Sequence, residues 1–274
     1  MKLFAALLIT LLSTSLAWAD RPLILASTTS SQNSGLYDHI LPVFEAETGI
    51  RVNVVAVGTG QALLLGRNGD ADVVIVHHAP SETAFVEAGF GVDRRPVMFN
   101  DFIVIGPEDD PAQVAGSGTA LEAFRKIEQA KASFISRGDN SGTHLTERRM
   151  WLVLATDPSG PWYREIGAGM GAALNMASAL GAYTLTDRGT WLSFQRKDGL
   201  GVVFEGDPNL HNAYSIIRVN PDRHPHVAAA AAITFVDWIT GPAGQSAIAS
   251  FQREGRPLFC PVDPTINAGE LCER

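Results

Sequence analysis

This 274-residue chain predicts an α/β fold of two domains. Three observations carry that expectation. Short apolar runs alternate with stretches of helical spacing from residue 22 onward. Ser, Thr and Gly stand at several of the turns between them. The length suits about two domains of roughly 100–200 residues each. Strands that alternate with helices imply parallel sheets joined by right-handed crossovers.

Residues 23–26 read as a buried strand, followed by the hydroxyl loop Ser27-Thr28-Thr29-Ser30-Ser31. Ser34 is placed to cap a helix that carries Leu36, Ile40, Val43 and Phe44 on one face and stops at Gly49. Residues 51–57 alternate and are β-branched, which predicts a second strand. Gly58-Thr59-Gly60 turns it into a short helix over 61–67. Residues 72–76 form a third, fully buried strand, and 80–88 a third helix. Another strand over 102–105 leads to the acidic, turn-rich stretch 107–111, where a first domain boundary falls.

Helices over 117–128, 142–155, 171–180 and 188–194 then alternate with strands over 133–135 and 183–185. Leu145, Met150, Trp151 and Leu154 are the expected inner residues of the second of these helices. Strands over 201–204 and 213–219 bring the chain back near residue 200, and helices over 225–240 and 243–251 close it. The expected division is one discontinuous domain of 20–105 plus 200–274 and a second of 106–199.

The first residues predict export. Lys2 is a positive start, residues 3–12 are apolar, and Ala17-Trp18-Ala19 is a small-residue cleavage site. That apolar run is too short for a membrane span, and no cysteine follows the cleavage site to carry a lipid. A signal peptide of residues 1–19 and a soluble periplasmic protein are therefore expected. The formal charge of −8 argues against nucleic acid and anionic membranes as partners. It leaves a small anion possible, because a buried seat is governed by its local donors. In an oxidising compartment the two cysteines, Cys260 and Cys272, are expected to pair. A loop this short contributes about 3 kcal/mol at most.

Residues 136–143 read Ser-Arg-Gly-Asp-Asn-Ser-Gly-Thr, between an apolar run and a helix. A helix start exposes N–H groups without intrahelical partners and carries partial positive charge. Arg137 adds a fixed cationic fork, and Ser141 and Thr143 add hydroxyls. Ligands of open α/β sheets sit beyond the carboxyl ends of the strands. The hydroxyl turns at 27–30, 58–60 and 141–143 are three such places, the first two on one domain and the third on the other. Each alone reads as an ordinary helix cap; three together with an arginine read as a seat for an oxyanion. Asp139 is expected to fix the guanidinium of Arg137.

With these motifs, Ala26-Ser27-Thr28-Thr29-Ser30, Gly58-Thr59-Gly60, the run from Asp70 to His77 and the run from Ser136 to His144 together, the chain resembles the tungstate-binding proteins of ABC importers, the TupA type, over nearly all its mature length. The resemblance implies a type II periplasmic binding fold, two α/β lobes with a ligand cleft between them. It implies that the cleft closes on tungstate and delivers it to an ABC permease in the inner membrane, with the protein a monomer that needs no cofactor. By that resemblance Thr28, Thr29, Thr59, Arg137 and Thr143 contact the ligand, with Ser30 and Ser141 as further contacts. Ser27 stands where the family usually has a third threonine, which keeps the hydroxyl.

Phosphate is the alternative, since the pattern from Arg137 to Thr143 is also similar to that of phosphate-binding proteins. Phosphate keeps a proton at neutral pH and needs an acceptor, whereas tungstate and molybdate need donors only. Phosphate binders tend to place an aspartate after the third strand, where this chain has His77-His78. Tungstate is preferred to molybdate by resemblance alone. An exported enzyme is the competing class. Nucleophile-elbow, phosphate-cradling and zinc-helix motifs are missing from the sequence. Gly167 to Ala172, with Asp187 downstream, fits a dinucleotide fingerprint, but residues 163–166 make a poor buried strand, and the glycines read as a loop before a helix. His77-His78 and His224-Pro225-His226 lack supporting ligands for a metal and read as solvated or capping histidines.

Overall fold

The structure, a computed structural model, describes residues 21–253, 255–266 and 272. The expected signal peptide, residues 1–19, lies outside them. The chain opens with β1 (Leu23–Thr28), α1 (Thr29–Asn33), α2 (Leu36–Thr48), β2 (Val52–Val57), α3 (Thr59–Asn68), β3 (Val73–Val76) and α4 (Ala79–Glu87). A long strand β4 (Gly91–Pro107) leads to α5 (Ala120–Ala130), β5 (Phe134–Ser136), α6 (Gly142–Val153), β6 (Tyr163–Glu165), α7 (Met170–Leu180), β7 (Thr184–Asp187) and α8 (Arg188–Ser193). The return runs through β8 (Leu200–Phe204), β9 (His211–Val219), α9 (Ala229–Thr240), α10 (Pro242–Ser250) and the short strands β10 (Gln252–Arg253), β11 (Arg256–Pro257) and β12 (Cys260–Pro261).

The expected strand–turn–helix order holds, but the sheets are mixed. β1 is parallel to β2 and β3, and β5 is parallel to β6. β9, however, runs antiparallel to both β3 and β4, and β4 is antiparallel to β7 and β8. The reason is β4 itself: it is continuous from Gly91 to Pro107, so it pairs with β9 over its first half and with β7 and β8 over its last residues. Residues 163–165, expected to be unsuited to a strand, do form β6, with only Tyr163 buried and the next two residues exposed. Ser34 is not the cap of the long helix. Gly35, at φ 86°, holds that position, and Ser34 closes α1 while its Oγ accepts from the Leu36 N–H at 3.3 Å.

Local physics explains the main helices. Leu36, Tyr37, Ile40 and Phe44 bury one stripe of α2, which ends at Gly49 in the left-handed conformation a glycine adopts freely. α5 is capped by the Thr119 hydroxyl and buries Ala120, Ala123, Phe124 and Ile127. In α6, Met150 and Trp151 are inside as expected, whereas Leu145 and Leu154 are half-buried.

Among the described residues the apolar interior forms four clusters, which fall into two groups along the chain of strands. One gathers around β1, β3 and the first half of β4, with Phe44, Phe235 and Trp238 in contact. The other gathers around Phe102 and Val104 of β4, with Phe124, Phe134 and Trp151 packed edge to face or tilted. Each such ring contributes on the order of 1.5–3 kcal/mol by burial. β12 pairs with β4 at Phe99 and Met98, and a disulfide joins Cys260 to Cys272. Among the described residues no helix is long and apolar enough to cross a membrane.

Candidate functional site

The three donor turns meet. β1 and β2 are in parallel register to their ends, Thr28 opposite Val57, so the turns at 28–30 and 58–60 leave the sheet side by side. A side chain on Gly58 would stand 4.0 Å from the Asp139 carbonyl oxygen, which brings the third turn against the second. At the start of α6 a Cβ on Gly142 would lie 2.6 Å from the His77 ring, so the end of β3 also abuts the third turn.

Each expected contact residue has a definite place. Thr28 caps α1 and is buried; its Oγ1 lies 3.1 Å from Ser30 Oγ and 2.9 Å from Ser31 Oγ. Thr29 is half-buried and Ser30 buried in the first turn of α1. Thr59 opens α3 and is 1% exposed. Ser141 caps α6 by accepting from the His144 N–H at 3.3 Å, and Thr143 is buried in the first turn. Arg137, 3% exposed, donates from Nη2 to Asp139 Oδ2 at 2.5 Å and from Nη1 to Thr143 Oγ1 at 3.4 Å.

Buried polar atoms without a hydrogen-bond partner in this cluster include the donors Thr59 Oγ1 and Arg137 Nε, with Ser136 Oγ and His144 Nε2 on the same motif as Arg137. Leaving a buried polar group unpaired costs about 1–3 kcal/mol, more when it is charged. Such groups on adjoining turns point to something that accepts hydrogen bonds there.

The carboxylates nearby are already engaged. Asp139 accepts from Arg137 and, through Oδ1, from the Ser141 N–H at 3.1 Å. Burial pushes its carboxyl up, but the bonds from Ser141 and the charge and bond of Arg137 outweigh that and hold it below the usual carboxylate range. Asp187 caps α8, with Oδ1 accepting from the Thr190 N–H at 2.8 Å and Oδ2 from its hydroxyl at 2.6 Å. Burial raises its pKa despite these bonds and the nearby charge of Arg137.

Sequence reasoning missed two participants. His77, expected to be solvated or capping, is buried. Its Nδ1 is 2.7 Å from Asn212 Oδ1, and its ring stacks on Tyr214 with centroids 4.6 Å apart. Because the Asn212 amide donates to Asn100 Oδ1 at 2.7 Å, its own Oδ1 is the acceptor and His77 carries its proton on Nδ1. Burial lowers its pKa to about 4, the Asn212 bond opposes that, and Arg137 adds to the lowering, so the ring is neutral at physiological pH. Asp187 is the second, and the spacing Asp187–Thr190 before a helix is a capping signal that was readable. His224 and His226 do cap: their Nε2 atoms reach the carbonyls of Arg67 and Gly69 at the end of α3, at 3.0 and 2.9 Å. Among the described residues no cluster of three or more His, Cys, Asp or Glu is set to hold a metal ion.

Two strand-linked clusters joined by antiparallel crossing strands, with helix starts converging on unpaired donors, define a class of protein built to enclose a small ligand. A model of the PBP superfamily domain matches residues 15–243, and the chain belongs to that superfamily. Within it, the chain is 46% identical to the tungstate-binding protein TupA of Peptoclostridium acidaminophilum, over 89% of this chain and 86% of that protein. It is similar to the crystal structure of the tungstate ABC transporter from Geobacter sulfurreducens, at 48% identity and a TM-score of 0.78 over 84% of this chain and 98% of that one. The tungstate-binding protein TupA from Desulfovibrio alaskensis G20 follows at 44% identity and a TM-score of 0.76, over 88% and 99%.

Proposed function

We propose that this protein captures a tetrahedral oxyanion, tungstate, without chemical change and hands it to an ABC permease. The observation that carries the reading is the pair of buried donors without partners, Thr59 Oγ1 and Arg137 Nε, one on each side of the meeting of the turns. Thr28, Thr29, Ser30, Ser141 and Thr143 complete the donor set, with the N–H groups that open α3 and α6. A nanomolar site needs about 12 kcal/mol. Charge-assisted hydrogen bonds contribute roughly 1.5–3 kcal/mol each, so about six to eight donors are of the right order.

The names of the relatives support tungstate in particular. We further propose that the two core groups are two lobes that close on the anion. Phe204 and Leu210 pack with Phe102, Phe134 and Trp151, and Leu200 with Ile103, Ile105 and Trp191, so the chain crosses back into the first lobe where β9 begins, about ten residues later than the sequence pattern implied. A periplasmic monomer with no resident cofactor fits this role.

The test is isothermal calorimetry of the purified protein with tungstate, molybdate, sulfate and phosphate in turn. Tungstate is expected to bind most tightly and phosphate weakest. Binding of phosphate alone would replace this reading by the phosphate one.

A further inference from the structure

A cavity of about 520 Å³ lies apart from the donor turns, where residues 99–101 of β4, residues 206–211 leading into β9, residues 257–260 and Arg188 meet. That volume is in the range of small-molecule sites. Its walls are apolar at Phe99, Pro208 and Leu258. Its charge is acidic. Arg188 donates from Nε and Nη2 to Asp101 at 2.6 and 2.5 Å and from Nη2 to Glu205 at 2.6 Å, so two carboxylates already answer its one positive charge. Asp207 on the same wall is held ionised: burial opposes this, but the N–H groups of Ala120 and Asn209 prevail. The half-buried Phe99 ring and the exposed His211 ring lie 5.0 Å apart at 32° and offer aromatic faces to a cation.

The cavity is also wired to the anion seat. Asn100 lines it, accepts from Asn212 at 2.7 Å, and Asn212 in turn holds His77 at 2.7 Å against the start of α6. Leu258 belongs to the first core group, and Phe204 and Leu210, on either side of the 206–208 wall, to the second, so an occupant touches elements of both. In this structure α8 bridges those groups: its Trp191 belongs to the second, its Leu192 packs against the first, and its Ser193 Oγ donates to the Ser34 carbonyl at 3.4 Å.

We propose that this cavity is a second ligand site, for a small apolar organic cation of the aromatic or alkyl amine class, and that its occupancy favours the arrangement in which the two core groups touch. The site stands on the cavity alone; the coupling rests on the oxyanion reading.

The experiment is ligand-observed NMR and calorimetry with benzylamine and benzamidine, against benzyl alcohol and benzoate as neutral and anionic partners of the same size. The two cations are expected to bind about tenfold more tightly than the controls. Pro208→Trp, at an exposed position on the wall, is expected to abolish that binding, and His211→Ala to weaken it. Equal binding of benzoate or benzyl alcohol, or cation binding unaffected by both variants, overturns the site. Saturating benzamidine is expected to tighten tungstate binding by at least about twofold, with the reciprocal effect of tungstate on benzamidine equal in size. Unchanged tungstate affinity overturns the coupling. Failure of tungstate to bind without any amine counts against the oxyanion reading and leaves the amine site to be judged on its own binding data.

Discussion

Arg137 and Asp139 form an ion pair at 2.5 Å through Nη2, yet Nε of the same buried guanidinium has no partner. The carboxylate fixes the fork from one side and leaves a donor edge for a guest. Arg137→Gln keeps a donor for Asp139 but removes the charge and the fork. It is expected to weaken tungstate binding by about 100-fold, the loss of one or two charge-assisted bonds, with the unliganded melting temperature changed little. Calorimetry and thermal unfolding measure the two effects separately.

Thr59 supplies a contrast. Its Oγ1 is buried and unpaired, so the hydroxyl costs the unliganded fold rather than stabilising it. Thr59→Val is expected to leave the unliganded protein as stable or more so, while weakening tungstate by about ten- to a hundredfold, the loss of one charge-assisted bond. A variant that loses stability and keeps affinity would assign the hydroxyl to the fold instead.

Gly142 is constrained by the His77 ring, 2.6 Å from where its Cβ would stand. Gly142→Ala is expected to push the start of α6 away from β3 and weaken tungstate binding, with far-UV circular dichroism unchanged. Gly171 meets nothing within 4 Å of its Cβ position, so Gly171→Ala serves as the tolerated comparison.

Glu147 gives a pH prediction. Burial raises its pKa from 4.5 to about 7, against the hydrogen bonds it accepts from Tyr163 at 2.7 Å and Trp151 at 3.0 Å. The folded state therefore holds a proton that the unfolded state releases first, and stability falls as pH rises from about 4.5 through 7. The loss is up to about 3 kcal/mol. Glu147→Gln keeps an acceptor for both donors and is expected to flatten this slope, read from urea midpoints at pH 5 and pH 8.

Much of the fold was legible because its strands and helices carry their own periodicities, as in the fully buried Val73–Val76 and the stripe of α2. The first half of β4 was not. Asp93, Arg94, Arg95 and Pro96 break the alternation, and the register with β9 shifts between Val92 and Arg95 and again between Pro96 and Met98. The mixed sheet followed from that missed strand. At the site, Arg137 and the hydroxyl turns were readable as donor chemistry on strand–helix turns. His77 was not, because its burial comes from Asn212 and Tyr214, 135 and more residues away in the chain.

Where the anion sits is open to direct measurement. Anomalous scattering at the tungsten edge from crystals grown with tungstate locates the metal centre directly. The expected result is one tungsten peak enclosed by Thr59, Thr143 and Arg137, with an oxygen within hydrogen-bond reach of Arg137 Nε. A peak elsewhere, or one that leaves Thr59 Oγ1 and Arg137 Nε without partners, would contradict it.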